Sequence, residues 1–190
     1  MEVRAVLVPL DGSALAEAAL PYARLLARAF AAPIRLIAVA EREGQRNSSV
    51  SAELRDRRER SQTEALTQYI ALVAWELGEL SLDVRTEVVV GAPAEEILAA
   101  AAVVPNTVIV LATRGRGGLA SRLVGGVADK VLRLTTCPTL LVLPQEGHGS
   151  AHVRQPPARV RRILVPLDGS TLAEIALPVA SGLAEALHAG

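Results

Sequence analysis

The chain has 190 residues, about half of them apolar and a fifth charged, so it can bury the core of an ordinary domain and keep a hydrated surface. Lys+Arg and Asp+Glu both number 20, and that zero balance excludes a general electrostatic pull towards nucleic acid or an anionic membrane. The lone Cys137 excludes an intramolecular disulfide and a cysteine zinc cluster, and the few aromatics (Tyr22, Phe30, Tyr69, Trp75) form no base-stacking platform.

In chain order, Val3–Val8 is the first expected strand. Asp11 closes this short apolar run, so the start reads as a strand rather than a signal peptide, and a cytoplasmic protein is expected. Leu15–Ala29 follows Ser13, a good N-cap, and is expected as one helix. Ile34–Val39 is the second strand. Glu53–Leu77 predicts a long helix whose charge run, Arg55 to Arg60, faces solvent. Its second half carries Leu66, Tyr69, Ile70, Val73 and Leu77 at the spacing of a core stripe. Val84–Val90 is the third strand, and Ala94–Val103 is a helix opened by Pro93. Thr107–Leu111 and Thr139–Leu143 are the fourth and fifth strands, with a helix at Val127–Leu134 between them. The longest apolar stretch, Ile97 to Ala112, is interrupted by Pro105, Asn106 and Thr107, so no membrane span is expected.

Strand and helix alternate, and the strands are continuous Val/Ile/Leu runs suited to burial on both faces. Together these predict an α/β domain with a parallel sheet. Ligands of such sheets lie at the carboxyl ends of the strands, which directs attention to the loops after the first, second and fourth.

An internal repeat follows this domain. Ala5–Pro21 reads AVLVPLDGSALAEAALP and Arg162–Pro178 reads RILVPLDGSTLAEIALP, with 13 of 17 positions identical. Between the copies, Gln145–Arg159 has the Gly, Pro, Ser and His content of a linker, and His148 and His152 read as solvated linker residues. The expected organisation is a domain over 1–144, a linker over 145–160 and a partial duplicate over 161–190 limited to one strand and one helix. One such unit cannot cover both faces of its strand and is not stable alone.

Chemistry concentrates in LATRGRGGLASRLVGGVADKV, Leu111 to Val131. Glycines between a buried strand and a helix let backbone N–H groups and the helix N-terminus meet an anion. A Walker loop is excluded, because the only lysine, Lys130, follows Asp129. Gly115, Gly117 and Ala120 spell a dinucleotide fingerprint. They follow the fourth strand rather than the first, and leucines (Leu140, Leu141) stand where an acidic ribose ligand belongs.

A different spacing is more informative: Ala112, two residues, Gly115, nine residues, then Gly125 and Gly126. With VLVPLDGS, VVVGAPAEEIL, ATRGRGGLASRLVGG and VADKVLRLTTCPTLLVL in this order, the chain resembles the universal stress protein family from Val3 to about Pro144. The copy from Arg161 resembles the start of a second such domain, as in tandem members. The resemblance implies a Rossmann-like, doubly wound five-stranded parallel sheet of order 3-2-1-4-5. In one subclass it also implies ATP binding through Gly-x2-Gly-x9-Gly-Ser/Thr, with magnesium held on the phosphates. Carried over by position, Ala112 stands for the first glycine and Gly126 for the hydroxyl residue, while Gly115 and Gly125 match. The backbone N–H groups of Gly126 and Val127 remain available, and Arg114, Arg116 or Arg122 can pair with phosphate oxygens. The resemblance also puts Pro9-Leu10-Asp11 near the nucleotide, with Asp11 at ribose or phosphates, and lays adenine on Ala38 and Val39. Asp11 can equally cap the first helix with Ser13.

A Ser/His/Asp triad has no histidine before His148, and no nucleophile-elbow GxSxG occurs, so any ATP hydrolysis is expected to be slow. The rival expectation is a dimerising interaction module without nucleotide, pairing through the last strand, Thr139–Leu143.

Overall fold

The computed structural model describes residues 1–42, 52–113, 126–143 and 158–190. Five parallel strands form one sheet in the order β3-β2-β1-β4-β5: β1 Ala5–Leu10, β2 Ile34–Glu41, β3 Val84–Gly91, β4 Thr107–Ala112 and β5 Thr139–Val142. Central β1 is flanked on both sides, with Leu7 opposite Arg35 of β2 and Ile109 of β4. The expected topology is the one observed.

Helices cover both faces. On one lie α2 (Leu20–Phe30) and α3 (Ala52–Gly78), whose Leu20, Ala23, Leu26, Ile70, Val73 and Leu77 pack with Val6, Val8, Leu36 and Ala38. On the other lie α4 (Pro93–Val103) and α5 (Gly126–Leu134), whose Ala94, Ile97, Ala101, Ala128 and Val131 pack with Leu7, Ile37 and Ile109. Alternation along β1 and β4 deals successive residues to the two cores, which is why these central strands are almost entirely apolar, whereas edge strand β3 exposes Arg85, Thr86 and Glu87. Within β2, Arg35 donates through Nη1 at 2.7 Å to the carbonyl of Ala100, closing an orphan acceptor in the last turns of α4.

The expected single helix Leu15–Ala29 is instead two, a four-residue α1 (Ala14–Glu17) followed by α2. Pro21 causes the break. Its ring opposes the carbonyl four residues back, that of Glu17, and it has no N–H to offer, so α1 ends there and Pro21 enters the first turn of α2.

The duplicate repeats this local structure. A short α6 (Thr171–Glu174) precedes α7 (Ala176–Leu187), and Glu174 again lies four residues before a proline, Pro178. Gly12 and Gly169 share a left-handed φ of +82° and +80°, and Ala31 and His188 end their helices at φ 49° and 51°. The expected strand of the duplicate does not form. Among the described residues, segment 161–167 has no neighbouring strand, and its backbone pairs with Gly190, through the Ile163 N–H at 2.8 Å and the Arg161 carbonyl at 3.0 Å. The unit rests on the domain through α7, which lies against α2 and lends Leu183 and Leu187 to the core beneath α2 and α3.

Candidate functional site

The strand order reverses between β1 and β4, and a cleft opens at the carboxyl ends there. Its volume is about 180 Å³, and it is open to solvent. Pro9, Leu10 and Asp11 from the end of β1, Ile37, Val39 and Glu41 from β2, Leu111 and Ala112 from β4, and Val127 and Ala128 from the start of α5 line it; Ala16, Pro93 and Ile97 complete the wall.

Of the residues expected from sequence, Pro9, Leu10, Asp11, Val39, Ala112 and Val127 therefore meet in one place. Ala38 does not join them, since its side chain is fully buried on the opposite face with α2 and α3. Gly126 is the exposed first residue of α5, next to the lining residue Val127. Arg114, Gly115 and Gly125, with Arg116 and Arg122, lie outside the described residues. Ala16, Ile37, Glu41, Pro93, Ile97, Leu111 and Ala128 are lining residues that the sequence does not single out. The signal for Glu41 was present in the two-residue period from Ile37 through Val39, which puts all three on one face.

The turn after β1 is built from its own side chains. Asp11 Oδ1 accepts from the Ser13 N–H at 2.9 Å and from the Ser13 hydroxyl at 2.5 Å. Ser13 Oγ in turn accepts from the Ala16 N–H at 3.1 Å and caps α1. Helix capping by Ser13 and lining of the cleft by Asp11 thus coexist in this turn, and Gly12 supplies the left-handed residue the turn requires. Ser13→Ala removes the cap and the hydroxyl donor to Asp11 together, and is expected to cost about 1 kcal/mol in urea unfolding.

Tyr69 of α3 braces this turn, its hydroxyl donating to Glu17 Oε1 at 3.0 Å. Burial pushes the phenol well above its usual 10, and the charge of Glu17, that hydrogen bond and the charge of Asp11 push the same way. A raised folded pKa means the contribution is fully present below the unfolded value and is lost as pH rises past it. Tyr69→Phe is therefore expected to cost about 1 kcal/mol at neutral pH, with the gap to the parent narrowing above pH ~10 in parallel denaturation curves. The ionisable lining residues among those described, Asp11 and Glu41, are both acidic. Lys130 of α5 is engaged with Glu95 of α4, which holds that carboxyl below its usual range.

A doubly wound parallel sheet with a cleft at its switch point defines an open α/β domain of Rossmann-like type. The model of the universal stress protein family matches residues 2–142, and the chain belongs to that family. A curated relative, universal stress protein MJ0531 of Methanocaldococcus jannaschii, is 38% identical over 64 residues, which are 34% of this chain and 38% of that protein. The match thus spans well under two thirds of that relative's length. Among solved structures, the hypothetical protein MJ0577 is similar at a TM-score of 0.63 and 26% identity, over 77% of this chain and 100% of that one. The universal stress protein UspA from Lactobacillus plantarum is similar in fold at a TM-score of 0.64 and 20% identity, over 75% of this chain and 99% of its own. Among the described residues no helix is long and apolar enough to cross a membrane.

Proposed function

We propose that this chain is a cytoplasmic stress-response module that binds ATP or a related adenine nucleotide and changes its partner contacts with occupancy. One observation carries the reading: the cleft at the switch point has an apolar floor and the N-terminus of α5 at one end. An apolar floor suits a flat base, and a helix N-terminus with free N–H groups suits phosphates. In this reading the N–H groups of Gly126 and Val127 hold phosphate oxygens, and Ala112, Arg114, Gly115 and Gly125 supply the rest of the phosphate loop. Asp11, with Pro9 and Leu10, faces the sugar, and Val39 with the backbone of Ala38 walls the base. Magnesium travels on the phosphates, and hydrolysis is at most slow.

Calorimetric titration with ATP and magnesium tests this. A saturable signal is expected from the parent chain, with at least tenfold weaker binding for Val127→Glu. Val127 is 38% exposed, and an acidic side chain in the first turn of a helix favours the helix while repelling phosphate, so the variant keeps its fold. Absence of saturable heat from the parent at millimolar nucleotide overturns the reading.

A second reading is favoured by β5. Among the described residues that strand pairs with β4 on one side and with none on the other, and Leu143 just beyond it is 65% exposed. An uncovered edge of this kind suits a homodimer through Thr139–Leu143. A monomer by light scattering at high concentration overturns it. In either reading we take 145–160 as a linker and 161–190 as the opening unit of a second domain of the same family.

A further inference from the structure

We propose that the chain carries its domain twice in overlapping form: within one chain the unit 161–188 can take the place of 4–31 in the sheet, so that residues 32–190 close the same domain in circularly permuted order.

Three observations carry it. First, the duplicate preserves the residues that the place requires. Beneath α2 and α3 the first copy buries Leu20, Ala23 and Leu26, which recur as Leu177, Ala180 and Leu183. Its cleft-lining Pro9, Leu10, Asp11 and Ala16 recur as Pro166, Leu167, Asp168 and Ala173, so an exchange rebuilds that wall of the cleft with the same side chains.

Second, the duplicate already has the backbone of the first copy. Asp168 Oδ1 accepts from the Ser170 N–H at 2.9 Å, the distance found between Asp11 and Ser13. The Ile163 N–H donates to the Gly190 carbonyl at 2.8 Å, as the Val6 N–H donates to the Pro33 carbonyl at 2.9 Å just before β2. A unit ordered in this way loses little conformational freedom on entering the sheet.

Third, the duplicate leaves its apolar residues in water. Leu164, Leu172 and Ile175 are 92%, 77% and 67% exposed, whereas Leu7, the counterpart of Leu164, is 1% exposed. Either copy gains by occupying the centre of the sheet, and only one can do so.

The connection is long enough. Only β4 separates β5 from β1, so the two lie about 10 Å apart, and β1 is about 20 Å long. The 17 residues between Leu143 and Arg161 reach up to about 55 Å when extended. The differences between the copies decide which one holds the place. Ala5 and Ala18 are buried, and their counterparts are Arg162 and Ile175. A guanidinium and added methylenes fit a closed core poorly, which favours the first copy.

Urea unfolding of the full chain tests this with the parent, Leu7→Asp, Leu164→Asp and the double variant. A carboxylate at the buried place in the central strand excludes the copy that carries it. Leu164→Asp is expected to coincide with the parent. Leu7→Asp is expected to keep a cooperative transition at a lower midpoint and to be a monomer by light scattering. Hydrogen exchange is then expected to show amide protection gained at 162–167 and lost at 5–10. The double variant is expected to show no transition. Adding Arg162→Ala and Ile175→Ala is expected to raise the midpoint of Leu7→Asp and to leave that of the parent unchanged.

The proposal is overturned if Leu7→Asp has no transition both with and without those two substitutions, or if they leave its midpoint where it was. It is equally overturned if the double variant unfolds as Leu7→Asp does, or if protection stays on 5–10. A dimeric Leu7→Asp also overturns it, because the place is then filled from a second copy rather than from the same chain.

Discussion

Leu7→Ala is expected to lower the stability of the chain by about 2–5 kcal/mol, whereas Leu164→Ala changes it by less than about 0.5 kcal/mol. The two leucines occupy the same place in the repeated sequence. Leu7 lies in central β1 between Arg35 and Ile109, is 1% exposed, and packs with Ile37, Ile97 and Val131 beneath α4 and α5. Truncating it removes buried methyl groups and leaves a void that a central strand, held from both sides, cannot close. Leu164 is 92% exposed, so the same truncation removes almost nothing from contact. Urea unfolding of the two variants beside the parent measures the contrast. An equal loss at both positions would mean that residues 161–190 bury their apolar face in solution, against one another's copies or elsewhere.

Gly126→Ser is expected to tighten ATP binding roughly tenfold to hundredfold, the worth of one charge-assisted hydrogen bond of about 1.5–3 kcal/mol. Gly126 opens α5, its backbone needs no glycine, and a Cβ placed there meets nothing within 4 Å. A hydroxyl can thus be added without displacing a neighbour. Its O–H joins the free N–H groups of the first turn as a donor to a phosphate oxygen. It is also the hydroxyl that the nucleotide motif of the resemblance carries at this position. Calorimetry with ATP and magnesium on parent and variant decides the matter. An unchanged affinity in a chain that binds ATP would place the phosphates away from α5.

The centres of β1 and β4 were legible from sequence because a strand buried on both faces must be apolar at nearly every position, and few other segments are. The same property hid which residues face the cleft. Ala38 and Val39 look alike in an unbroken apolar run, and only the packing of α2 and α3 on one side, α4 and α5 on the other, assigns Ala38 to a core and Val39 to the site. Residues such as Ile97, Pro93 and Glu41 join the cleft from elements far apart in the chain. No local pattern marks them as its walls. The helix break at Pro21 was legible in principle, but the continuing apolar period from Leu15 to Ala29 masked it.

The repeat separates the two kinds of information. Residues 11–31 and 168–188 share the glycine turn, the serine cap, the break before proline and the left-handed helix end, because each depends on groups a few residues apart. Sequence by itself determined those. Whether VPL becomes a buried central strand or an exposed extended segment was decided by tertiary structure. β2 and β4 stand on either side of the first copy to complete its ladder and its burial, and no strand stands beside the second among the described residues.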